Sequence, residues 1–175
     1  MRRVLALSAT LALSLTALPA LSAPAAATAD QQVILINRLT GKCVTVAGGL
    51  STDNNHPLVQ YECDNHPSRR WILQSPFGTT QYWLRNAQTG KCATVAGGTT
   101  TANNHPLVQY TCDYHMSRTW SFWTNPTGAH QLRNQQTLKC MTLAGGTATW
   151  NNVGLVQYEC DSDLSRQYYM HVVNP

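Results

Sequence analysis

The sequence predicts an all-β domain built from three internal repeats, and three observations lead there. The residues GKCVTVAGG at 41–49 return as GKCATVAGG at 90–98 and as LKCMTLAGG at 138–146. Six cysteines fall into three pairs with the same twenty-residue gap. Short stretches alternate apolar and hydroxyl residues as strands do, and no segment of the repeats carries a helical period.

The recurrence runs far beyond nine residues and has a period of about 50, the mark of a repeat architecture. The repeats cover about residues 32–76, 81–125 and 130–174. One such unit is too small to bury a core alone, so the three must share one.

Each unit should hold four short strands. VILIN, YWLRN and HQLRN open the repeats. VTV, ATV and MTL follow, with Val44 and Val46 expected to point inward and Thr45 outward. AGG and the polar residues after it read as a turn. LVQY is the next strand, and a further strand is expected to end at Trp71, Trp120 or Tyr168.

Residues 1–29 read as a secretory signal rather than as fold: Arg2 and Arg3, an apolar run, then a small-residue exit at Ala27-Thr28-Ala29. The mature chain is expected to span 30–175 as a single domain and to be secreted. Nothing else in it is apolar enough for a membrane span. The formal charge of +4 includes Arg2 and Arg3, and the remaining basic residues are scattered, which argues against nucleic acid as a partner. Thr, Asn, Gln, Ser and Gly are abundant, a surface suited to neutral polar ligands such as sugars.

Export directs the cysteines to disulfides, one inside each repeat: Cys43–Cys63, Cys92–Cys112 and Cys140–Cys160. The competing reading is metal. Cys63-Asp64-Asn65-His66 and Cys112-Asp113-Tyr114-His115 have C-x-x-H spacing, but repeat three has Asp163 where the histidine stands. The expectation is no metal and no cofactor.

The pattern G-K-C-x-x-V, a Val-Gln-aromatic strand, a second cysteine and a Q-x-W-like element resembles the ricin B-type lectin β-trefoil family over the whole mature chain. The resemblance implies a closed six-stranded barrel capped by three hairpins, with one sugar pocket per repeat. The family's pocket acid, two residues after the first cysteine, is replaced by Thr45, Thr94 and Thr142. Its aromatic, two residues before the second cysteine, is Tyr61, Tyr110 and Tyr158. Its outward glutamine corresponds to Gln60, Gln109 and Gln157, and the Gln of Q-x-W to Arg69, Arg118 and Arg166. Its core tryptophan corresponds to Trp71, Trp120 and Tyr168.

Strand alternation leaves two registers open. Counting back from Cys63 turns Tyr61 outward, and counting forward from Val59 turns Gln60 outward instead. Asp64, Asp113 and Asp161 are available to pair with the arginines. Repeat three departs furthest: Val153-Gly154 replaces His-Pro, and Trp150 stands in a loop where it could stack on a ligand or fold onto the core.

These residues point to a secreted, monomeric carbohydrate-binding protein with up to three weak sites, directed at a polysaccharide or glycan. The alternative is a trefoil that engages a partner protein, such as a protease, through its loops. An enzyme is not expected, because glycoside hydrolysis needs two facing carboxylates and acids here are few.

Overall fold

The computed structural model describes residues 31–78 and 80–173, so the expected leader and its cleavage site lie outside the described residues. The described residues form twelve strands: β1 (Gln31–Asn37), β2 (Cys43–Val46), β3 (His56–Tyr61), β4 (Arg70–Gln74), β5 (Gln81–Asn86), β6 (Cys92–Val95), β7 (His105–Tyr110), β8 (Thr119–Thr124), β9 (His130–Asn134), β10 (Cys140–Leu143), β11 (Leu155–Tyr158) and β12 (Tyr168–Val172). Antiparallel pairing runs β1–β4–β5–β8–β9–β12 and back to β1, which closes a six-stranded barrel. The hairpins β2–β3, β6–β7 and β10–β11 cap one end. They meet each other through β3–β7, β7–β11 and a bridge between Val59 and Gly154. This is a β-trefoil, and closure leaves the barrel no free edge.

The core repeats with the sequence. Trp71, Trp120 and Tyr168 form one fully buried set, Leu35, Leu84 and Leu132 a second, and Leu58, Leu107 and Leu155 a third. Val44, Ala93 and Met141 share a position, so a small side chain in one repeat is balanced by a large one in another. Each indole N–H is satisfied internally: Trp71 Nε1 donates to the Val44 carbonyl and Trp120 Nε1 to that of Ala93, both at 3.0 Å. The Tyr168 hydroxyl lies by Asn37 without a well-formed hydrogen bond, and burial raises its pKa far above the ordinary phenol value.

The three disulfides join the expected pairs, Cys43–Cys63, Cys92–Cys112 and Cys140–Cys160. Both C-x-x-H segments thereby lose their thiolate.

Two local expectations need correction. Trp71, Trp120 and Tyr168 do not end a strand but stand at its start, each just after a single 3₁₀ turn (Pro67–Arg69, Met116–Arg118, Leu164–Arg166). Val44 and Val46 do enter the core, but Thr45, although on the opposite face, is equally buried because that turn lies over it.

Repeat three carries a visible backbone cost. Gly41 and Gly90 adopt φ of 68° before the Lys-Cys pair, and Leu138 holds the corresponding place at φ 60°. A left-handed conformation disfavours any residue with a Cβ. The Leu138 side chain is 52% exposed, so it gains little packing in return. Leu138→Gly should therefore stabilise the protein by about 1 kcal/mol in urea denaturation. Trp71→Ala should cost about 3–5 kcal/mol through the cavity it leaves, measured the same way.

Candidate functional site

The 3₁₀ turns organise three corresponding pockets, one per repeat. Each turn begins at a capping side chain: His66 and His115 accept the amide N–H of Ser68 and Ser117 through Nδ1, and Asp163 accepts that of Ser165 through Oδ1. The serine at the centre of each turn is buried and links repeats. The Ser68 carbonyl accepts from Thr45 Oγ1 of its own repeat at 3.0 Å and from Asn86 Nδ2 of the next at 2.8 Å. The Ser117 carbonyl accepts from Thr94 and Asn134 in the same way. In repeat three Asn37 Nδ2 reaches the Ser165 carbonyl, and Thr142 meets the Ser165 hydroxyl.

Above this floor stand a tyrosine and an arginine. The guanidinium lies over the ring at 4.5 Å for Arg69 on Tyr61, 4.4 Å for Arg118 on Tyr110 and 4.5 Å for Arg166 on Tyr158. Such contacts are worth about 0.5–2 kcal/mol. Each arginine also pairs with the acid named from the sequence: Asp64 at 3.2 Å, Asp113 at 3.3 Å and Asp161 at 2.9 Å. The guanidinium groups are largely buried and the acids about half exposed, and each acid also accepts a backbone N–H two residues on, from His66, His115 or Asp163.

The pocket of repeat one is lined by Thr45, the Gly48-Gly49 turn, Tyr61, His66, Arg69 and Asn152, and has a volume of about 280 Å³. That of repeat two, lined by Thr94, Tyr110, His115, Arg118 and Asn55, has about 350 Å³. That of repeat three, lined by Thr142, Tyr158, Asp163, Arg166 and Asn104, has about 310 Å³. Gly49 is needed in its wall, with φ 77° and room for a Cβ only 3.1 Å from Ser68 Oγ.

The last residue named in each pocket comes from a neighbouring repeat. Asn55, Asn104 and Asn152 are the second residues of three Asn-Asn pairs and all have positive φ. Their backbone N–H groups donate to the carbonyls of Gln109, Gln157 and Gln60. The first asparagines accept from the following strand end, as Asn151 Oδ1 does from the Glu62 amide. A repeat therefore cannot complete its own pocket. Sequence reading missed these asparagines, and the capping role of His66, His115 and Asp163. The threefold Asn-Asn doublet was the available signal.

Strand β3 settles the register. Tyr61 shares its face with Val59 and borders the pocket half-buried, while Gln60 is buried. Gln60, Gln109 and Gln157 are thus corrected from ligand contacts to internal ties. Gln60 Nε2 donates to the Ala148 and Trp150 carbonyls and its Oε1 accepts from Thr40. Gln109 holds Ser51 and Asp53 likewise, and Gln157 holds Thr100 and Ala102. An amide spent on two backbone carbonyls has no donor left for a ligand. Thr45, Thr94 and Thr142 line the pockets with their hydroxyl protons directed at the serine nodes. Trp150 turns outward and is 69% exposed.

Hydrogen bonds from Ser165 hold the Asp163 carboxyl below its ordinary pKa of 3.8. A depressed carboxyl stabilises the fold above the unfolded-state pKa and loses that effect as pH falls through the folded value. The melting-temperature gap between wild type and D163N should hold at neutral pH and close below about pH 4. Thr45→Val removes the donor to the buried Ser68 carbonyl and should cost about 1–3 kcal/mol in urea denaturation.

Residues 24–110 match the family model described as Ricin-type beta-trefoil lectin domain-like. Among solved structures, a designed threefold-symmetric protein, ThreeFoil, superposes with a TM-score of 0.76 at 20% identity, covering 81% of this chain and 99% of its own. An exo-β-1,3-galactanase from Clostridium thermocellum does so with a TM-score of 0.76 at 20% identity, over 82% of this chain and 30% of the galactanase. The ricin B-like lectin of Macrolepiota procera, solved with lactose, gives 0.68 at 15% identity, over 83% and 98%. Identities this low make these likenesses of fold. No curated protein matches the sequence.

Proposed function

We propose that this chain, which belongs to the ricin-type β-trefoil lectin domain-like family, is a secreted, monomeric carbohydrate-binding protein whose three weak pockets each take one unit of a polysaccharide. Family membership supports carbohydrate binding in general. The observation that carries the finer reading is the threefold recurrence of one pocket, in which an aromatic ring, a guanidinium and an asparagine from a neighbouring repeat surround a space of about 280–350 Å³. That lies at the small end of ligand cavities and suits one sugar ring rather than an oligosaccharide.

The tyrosine offers a partly exposed ring and hydroxyl, and the arginine stacked on it extends the flat wall. A flat apolar surface suits the C–H face of a pyranose, and the N–H and O–H groups suit its oxygens. Threonine at the position of the family's acid has no charge to strengthen such bonds. Affinity for a single sugar should therefore be about millimolar. A polymer engaging several pockets gains about 10²–10⁴. Beyond the pockets, exposed aromatics such as Tyr114 with Phe77 and Trp150 add surface that a longer chain can cover.

Binding without catalysis is favoured because Asp64, Asp113 and Asp161 are each committed to an arginine. Among the described residues no helix is long and apolar enough to cross a membrane. Secretion rests on the leader at 1–29 and fits the three disulfides.

Polysaccharide retention by Y61A, Y110A and Y158A tests the pockets. Each single variant should bind partly, and the triple variant should fold yet lose retention, with melting temperature recorded alongside. Full retention by a folded triple variant removes the tyrosines from the site. Binding that free sugar fails to displace would favour a protein partner. The exported protein should begin at Asp30 on N-terminal sequencing.

A further inference from the structure

We propose that the three pockets are not equivalent: Asp163 makes the repeat-three pocket a site for adjacent hydroxyls of a neutral sugar, whereas the other two present only donors at that place. The inference rests on the carbohydrate reading above and assigns its dominant neutral-sugar site.

The argument starts from the turn cap. His66, His115 and Asp163 occupy the same position with nearly the same backbone, φ −63°, −71° and −61° and ψ 133°, 132° and 137°. Each side chain uses one atom to accept the N–H two residues on. Each therefore has one polar atom left over, and all three residues line their pockets. What differs is the polarity of the remaining atom.

In repeats one and two the capping atom is Nδ1. A ring nitrogen that accepts an amide N–H carries no proton, so the neutral imidazole holds its proton on Nε2. The remaining atom is a donor, in a pocket where Arg69 or Arg118 also only donates. In repeat three the protein contacts of Asp163 run through Oδ1: the Ser165 amide at 2.8 Å, the Ser165 hydroxyl at 2.7 Å and Arg166 Nη1 at 3.7 Å. Oδ2 has no protein partner among the described residues. The side chain is 53% exposed, so a ligand can reach it.

Sugar hydroxyls need acceptors as well as donors. A carboxylate oxygen with both lone pairs free accepts from two adjacent hydroxyls, and charge shortens and strengthens both bonds. Repeat three thus regains from its turn the charged acceptor that the Thr142 hydroxyl does not supply from its strand. It sets two carboxylates, Asp161 and Asp163, against one guanidinium, while the other pockets set one against one. Those two pockets suit ligand groups that accept, such as a carboxylate or an acetamido carbonyl. The repeat that departs furthest in sequence is therefore the one equipped for a neutral diol.

The test is a backbone-amide NMR titration with the methyl glycosides of glucose, galactose, mannose, xylose and arabinose. Amides of Gly145, Gly146 and Ser165 should respond to at least one of them with a Kd about tenfold below that at Gly48, Gly49 and Ser68 or at Gly97, Gly98 and Ser117. D163N should weaken the repeat-three response at least tenfold and leave the other two alone, because asparagine still caps the turn and keeps the pocket in place although the charge is gone. The reverse exchange, H66D, should raise repeat one towards the level of repeat three. Equal responses in the three repeats, an unaffected D163N, or no gain in H66D would overturn the inference. So would silence at repeat three towards all five glycosides in a protein that still retains polysaccharide, and that result leaves the proposed function intact. Failure of the wild type to retain any polysaccharide would instead remove the reading beneath both.

Discussion

The structure depends on one buried carbonyl per repeat. The carbonyl of Ser68 takes a hydroxyl proton from Thr45 and an amide proton from Asn86, so one acceptor fixes the 3₁₀ turn both to its own hairpin and to the next repeat. Ser117 does the same with Thr94 and Asn134, and Ser165 closes the ring back to Asn37. Buried polar groups of this kind are costly when unpaired and specific when satisfied. Beneath each node sits Trp71, Trp120 or Tyr168, and above it opens a pocket. Core and site therefore share one scaffold.

That sharing explains how polar recognition is distributed. Threonine occupies the place where the family has an acid, and its hydroxyl proton is spent on the node. Recognition consequently moves to the rim, to the tyrosine with its stacked arginine, the capping side chain and the asparagine of the neighbouring repeat. The glutamines, expected from sequence to face a ligand, instead pin the loops bearing those asparagines. Threefold repetition builds three pockets only because the repeats complete one another.

Some of this was legible from sequence. Equal cysteine spacing gave the disulfides, and the repeated tryptophan gave the core, because both depend on position within one repeat. The strands VTV and LVQY were visible from alternation alone. The burial of Thr45 was not, since alternation sets a face but does not reveal that a turn some twenty residues later covers it. The roles of Gln60 and Asn152 were hidden for a related reason. Their partners lie about ninety residues away in another repeat, and no local pattern marks such a bond. His66 and His115 offered the spacing of a metal motif because spacing alone does not distinguish a ligand from a turn cap.

Hydrogen exchange tests the central claim, that the ligand sits where two repeats meet. The protein would be measured free and with oligosaccharides released from a polysaccharide it retains. Protection should appear at the Gly48-Gly49 turn and Ser68-Arg69, or their counterparts, and together with it at the asparagine pair contributed by the neighbouring repeat. Protection confined to loops away from these pockets, or to one repeat without its neighbour's asparagines, would contradict the account.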